Sequence, residues 1–170
     1  ISCLLVGISA VIYMVKIGAG NMRVVTIKDC EEITIYPSGI SKFVTFSSWT
    51  LLSNVVYFAI SVLAQLLESL NVKVPNFLLG LQVLFFCIGI AMAFMTATIV
   101  RHIILPDEVR IGRNHDHMFL FHEQIMHNFA AVFLAVELIL VRPNLEPQFA
   151  IIGILAGIFY VTFAYLFAYF

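Results

Sequence analysis

The sequence predicts an all-α fold, a polytopic bundle of transmembrane helices, and three observations carry that reading. Of the 170 residues, 62% are hydrophobic and 11% are charged. Soluble domains are about half apolar and about a quarter charged, so this chain lacks the polar side chains to cover a water-facing surface. Mean hydropathy is +1.03. Finally, the apolar residues fall in long runs. Crossing about 30 Å of hydrocarbon at about 1.5 Å per residue takes about 20 of them.

Five runs meet or approach that length. The first, Ile1 to Ile17, is a few residues short and has neither the basic n-region nor the cleavage site of a signal peptide. The others run from about Val44 to Leu67, Phe77 to Val100, Met118 to Val141 and Phe149 to Phe170. With no water to satisfy backbone groups, each must be helical. The chain opens on Ile1 inside one apolar run and stops at Phe170 inside another. The expectation is therefore a single transmembrane domain of five spans, 1–170, covering part of a longer protein with six.

The connections are short except for residues 18–43. There Val24-Val25-Thr26-Ile27-Lys28 and Ile33-Thr34-Ile35-Tyr36 read as extended or interfacial pieces, ending in a Pro37-Ser38-Gly39 turn. Lys16, Arg23, Lys28 and Lys42 flank or lie in the first loop, and Arg101, Arg110 and Arg113 fall in the third. The positive-inside rule places both loops in the cytosol. A formal charge of −1 leaves no footprint for nucleic acid. Cys3, Cys30 and Cys87 have neither disulfide nor metal spacing.

Chemistry concentrates on the fourth run, which carries His122, Glu123, Gln124, His127 and Asn128. Ionisable side chains in hydrocarbon are costly and default to functional candidates, although the same groups also serve as interhelical glue. Glu123 and His127, four apart, share a helical face, whereas His122 lies about 140° from His127 and need not. The spacing H-E-x-x-x-H has Met126 where a zincin needs its second histidine, so no metal site is expected. The only histidine outside this neighbourhood is His102, which argues against haem, and no cofactor is expected. The second run adds Thr45, Ser47, Ser48, Thr50, Ser53 and Asn54. A hydroxyl on one span and a histidine on another are the nucleophile and base of acyl transfer.

These clusters together resemble a known family, that of the androgen-induced protein and the androgen-dependent regulator of tissue factor pathway inhibitor. Three motifs carry the resemblance, in order along most of the chain from Lys42 to the fifth helix. They are Lys42-Phe43-Val44-Thr45, Met126-His127, and Glu137 followed by Arg142-Pro143 and Pro147. The hydroxyl and the histidine are about 80 residues apart, as in the family.

The resemblance implies an intramembrane hydrolase of fatty acid esters of hydroxy fatty acids, using a threonine nucleophile and a histidine. Matching Lys42-Phe43 places the nucleophile at Thr45, whereas matching Asn54-Val55-Val56-Tyr57-Phe58 without a gap places it at Ser47, the preferred register. His127 is then the base, Glu123 a candidate orienting group, and Gln124, Asn54 and Asn128 candidate oxyanion donors. The expected partners are membrane lipids and a lipid ester, in the endoplasmic reticulum or plasma membrane, with the mitochondrial inner membrane as an alternative. The competing reading is a non-catalytic subunit among neighbouring membrane subunits. A small transporter with a proton relay is a third, disfavoured by the lack of intramembrane charge on the other spans.

Overall fold

The computed structural model describes residues 1–16, 22–25, 30–143 and 145–169, with the side chains of 22–25, 32 and 167–169 outside the description. Among the described residues five helices make the bundle: α1 Ser2–Lys16, α2 Phe46–Ser69, α3 Asn76–Arg110, α4 Phe121–Val141 and α5 Ala150–Tyr169. Four of these regions, α2, α3, α4 and Pro147–Leu166 of α5, are long and apolar enough to cross a membrane. The protein is a membrane protein by that measure. At 15 residues α1 rises about 22 Å, less than a full span.

The expected extended segment is a two-stranded antiparallel hairpin, β1 Met22–Val25 against β2 Glu32–Ile35, with Met22 opposite Ile35. Thr26, Ile27 and Lys28 lie outside the described residues. A 3₁₀ turn, Gly39–Val44, leads from the hairpin into α2.

Helix ends follow local chemistry. Thr45 caps α2 through its side chain, which accepts from the Ser48 amide. Asn71 takes a left-handed conformation just past the end of α2, and Pro75 stands directly before α3. Arg142, also left-handed, ends α4, and Pro143 blocks any continuation.

The third helix departs from the expected boundary near Val100. It continues through a π turn at Val100–Ile104 to Arg110, 35 residues in all and about 52 Å of rise. Pro106 follows that turn closely. A proline lacks an N–H and crowds the carbonyl four residues back, and a wider turn relieves both defects. That exceeds the roughly 30 Å a span needs, and the charged residues Arg101, Asp107, Glu108 and Arg110 all fall toward its C-terminal end.

The central core joins Tyr57 and Phe58 of α2, Phe86 and Ala93 of α3, and Ala130, Ala131 and Leu134 of α4. A second cluster seats α1 through Ala10 and Met14 on Leu51, Ile125 and Met126. Polar pairs thread the interior. Thr50 meets Thr96 at 3.0 Å, Tyr57 donates to Glu137 at 3.0 Å, and Gln82 donates to Ser61 at 3.1 Å.

The last helix lies along α3 with an apolar outer face. Its approach depends on Gly153, where an added Cβ would stand 2.8 Å from the Ala91 methyl. That methyl is fixed to the α3 backbone and cannot step aside. Gly153→Ala is therefore expected to push the two helices apart and cost about 1–3 kcal/mol, read as a lower thermal midpoint in detergent.

Candidate active site

Three hydroxyls open α2, and helical spacing divides their work. Thr45 and Ser48, three apart, share a face with their hydroxyl oxygens 2.8 Å apart. Both lie within donating reach of the Lys42 carbonyl, at 3.0 and 2.7 Å. They are committed to closing the turn between the 3₁₀ segment and α2. Ser47 sits about 100° round the helix from Ser48. Its Oγ faces α4, where His127 Nε2 lies 3.0 Å away. Of the two nucleophile positions, only Ser47 is in hydrogen-bond contact with the histidine.

His127 stands on a π turn, Ile125–Phe129, inside α4. Such turns recur at functional sites. Glu123 bridges the two rings, with Oε1 3.1 Å from His122 Nε2 and Oε2 3.3 Å from His127 Nε2. Lys42 completes the cluster. Its ammonium is 4% exposed and lies 2.9 Å from His122 Nε2 and 3.5 Å from Glu123 Oε1. His122 is fully buried and its ring lies 5.5 Å from that of Tyr13, which ties α1 to the site.

The arrangement differs from a serine–histidine–aspartate triad. There the carboxylate holds the nitrogen remote from the nucleophile. Here Glu123 faces the same nitrogen as Ser47, and His127 Nδ1 is buried without a partner among the described residues. A buried donor left unpaired costs about 1–3 kcal/mol, so nothing on that side favours a ring proton on Nδ1.

A cavity of about 380 Å³ opens over the Ser47–His127 pair. Phe46, Met118, Met126 and Tyr160 give it apolar walls, and Lys42, Glu108, His117 and Glu123 line it as well. Glu108 comes from the C-terminal end of α3 and pairs with Arg113 at 3.7 Å. On the opposite wall the Tyr160 hydroxyl donates to the Val44 carbonyl at 3.3 Å and takes a backbone hydrogen bond at Phe46. Trp49 stacks among Phe159, Tyr160 and Phe163, anchoring α5 beside the site.

The expected oxyanion donors are not at the site. Gln124 donates to the Met118 carbonyl at 2.8 Å, and its side-chain oxygen accepts from Asn128 at 2.9 Å, so the two amides satisfy each other along α4. Asn54 donates to the Thr50 carbonyl, about 10 Å along α2 from Ser47. None of the three lines the cavity. Lys42 and Tyr160 do line it, the Tyr160 hydroxyl with its proton on the Val44 carbonyl.

Sequence reasoning missed Glu108 and Tyr160, which depend on how far α3 runs and where α5 docks. Lys42 is visible in the sequence as part of a motif, but its burial is not.

No protein-family model, curated protein or solved structure matches the chain.

If Thr45 serves the cap and Ser47 the chemistry, Thr45→Val should lose about 1 kcal/mol of stability, read as a lower thermal midpoint. The same variant should leave the reactivity of Ser47 within a few-fold of wild type.

Proposed function

We propose that this protein is an intramembrane serine hydrolase of lipid esters, with Ser47 as nucleophile and His127 as base. The observation that carries the proposal is the 3.0 Å contact between Ser47 Oγ and His127 Nε2 on the floor of a cavity with apolar walls. That distance is within the reach a general base needs.

The Ser47 oxygen attacks the ester carbonyl as its proton passes to His127 Nε2. The imidazolium returns that proton to the departing alkoxide, leaving acyl-Ser47 and a free alcohol. Water, deprotonated by the same nitrogen, then releases the carboxylic acid. Glu123, 3.3 Å from Nε2, stabilises the imidazolium during both steps. The resemblance in motif order favours fatty acid esters of hydroxy fatty acids as the substrate class. A cavity of about 380 Å³ suits the ester and the first carbons of each chain, with the rest lying in lipid.

One observation favours the rival reading of a non-catalytic membrane subunit descended from such an enzyme. Glu123 contacts the nitrogen that must be bare for catalysis, and Nδ1 has no orienting partner among the described residues.

A fluorophosphonate probe separates the two. The hydrolase reading expects covalent labelling at Ser47, no labelling in Ser47→Ala, and labelling slowed by about 100-fold or more in His127→Ala. Wild-type protein that is folded yet inert to the probe, or His127→Ala labelled at the wild-type rate, overturns it.

A further inference from the structure

We propose that Lys42 and His122 are positioning residues that keep His127 Nε2 available to Ser47 by countering the charge of Glu123. The inference builds on the hydrolase reading of the site and adds what sets the tautomer of its base.

A neutral histidine accepts the serine proton only if the nitrogen facing the serine carries none. In triad sites a carboxylate on the far nitrogen secures that tautomer. His127 has no such partner, because its Nδ1 is enclosed and unpaired among the described residues. The tautomer is therefore governed by what faces Nε2, namely Ser47 at 3.0 Å and Glu123 at 3.3 Å. A carboxylate with no countercharge would hold the ring proton on Nε2, where it blocks proton transfer from Ser47.

The two oxygens of Glu123 are not equivalent. Oε2 faces His127, whereas Oε1 lies 3.1 Å from His122 Nε2 and 3.5 Å from the Lys42 ammonium. The ammonium also lies 2.9 Å from His122 Nε2, the nitrogen that faces Oε1. A lysine head group in this position puts a positive charge beside Oε1 and draws the carboxylate charge away from His127.

The surroundings hold this device in place. Lys42 is 4% exposed and His122 is fully buried, with Tyr13 of α1 beside its ring. Removing two charges from water costs several kcal/mol per ion, and a buried pair seldom improves stability over apolar packing. The helices already have neutral polar partners at Thr50–Thr96 and a further pair at Tyr57–Glu137 to hold their register. An enclosed cation three residues before Thr45 is accordingly better explained by the charge balance at His127 than by stability.

The test reads the tautomer directly. Full-length protein with ¹⁵N-labelled histidine, in lipid nanodiscs at neutral pH, is compared as wild type, Lys42→Met, Glu123→Gln and Lys42→Met/Glu123→Gln. In wild type the ¹⁵N shift of His127 Nε2 should be that of a bare, pyridine-type nitrogen. In Lys42→Met it should move to the protonated, pyrrole-type value, and fluorophosphonate labelling should slow by at least tenfold. Removing the carboxylate should restore the bare nitrogen in the double variant, with labelling back within a few-fold of Glu123→Gln alone.

The double variant also guards against misfolding, since it removes the buried pair together and leaves no lone charge. A protonated Nε2 in wild type, or in Glu123→Gln, overturns the proposal. So does a double variant that folds yet stays as slow as Lys42→Met. If the tautomer switches as expected while wild type resists the probe, the positioning role stands and the hydrolase reading fails. If Ser47 is labelled but the tautomer does not switch, the hydrolase reading stands and the positioning role fails.

Discussion

Inside hydrocarbon a polar side chain has no water to turn to, and α2 carries one inward at nearly every turn. Thr50, Asn54, Tyr57 and Ser61 are all buried and recur at intervals of three or four, so they form one stripe along the helix. Thr50 and Ser61 find Thr96 and Gln82 on α3, and Tyr57 finds Glu137 on α4. Each such bond contributes only about 0.6–2 kcal/mol in a bilayer, but each can be made in only one register. The stripe thus decides which helices flank α2 and at what height. Ser47 lies beyond the stripe toward the N-terminus of α2, and the register that pairs Tyr57 with Glu137 also sets Ser47 opposite His127, 80 residues away in both cases.

The same constraint explains how much is legible in the sequence. The spans of α2, α3 and α4 are readable because bilayer thickness imposes a length on apolar runs, whatever their packing. The partnership of Ser47 with His127 is readable because polar groups in hydrocarbon must meet one another. The site's finer structure is not. A π turn has no sequence signature, and nothing in the sequence says that the side chains of the adjacent His122 and Glu123 meet. The continuation of α3 past Val100 reads as a loop, because Arg101, Asp107 and Glu108 look like loop residues when helix geometry is ignored. Gln124 and Asn128 look like oxyanion donors because amides are scarce in hydrocarbon. At a spacing of four they simply pair with each other.

The three hydroxyls at the start of α2 show why motif matching alone leaves two registers open. Threonine and serine both serve as caps and both serve as nucleophiles, so residue type does not separate the roles. Direction does. A cap must face the first-turn amides, as Thr45 does with the Ser48 N–H, while a nucleophile must face away from its own backbone toward another helix. The two demands are incompatible for one side chain. A sequence with hydroxyls at both 45 and 47 can meet both at once, with Ser48 closing the same turn onto the Lys42 carbonyl.

That carbonyl links the cap to the charge cluster. Lys42 holds the α2 cap with its backbone and the Glu123–His122 pair with its side chain, so one residue fixes the start of the helix that carries Ser47 and touches the groups around His127. On α4 a π turn carries His127, and Glu123, next to His122 in sequence and four residues before His127, reaches both rings. Neither feature is needed to cross a bilayer, since α2 and α4 already have apolar length and interhelical partners enough. Both depart from the lowest-cost way of building a span, one with a buried ion pair and the other with a widened turn. They converge on the same few ångströms around His127, the residue to which the proposed function assigns the proton transfer.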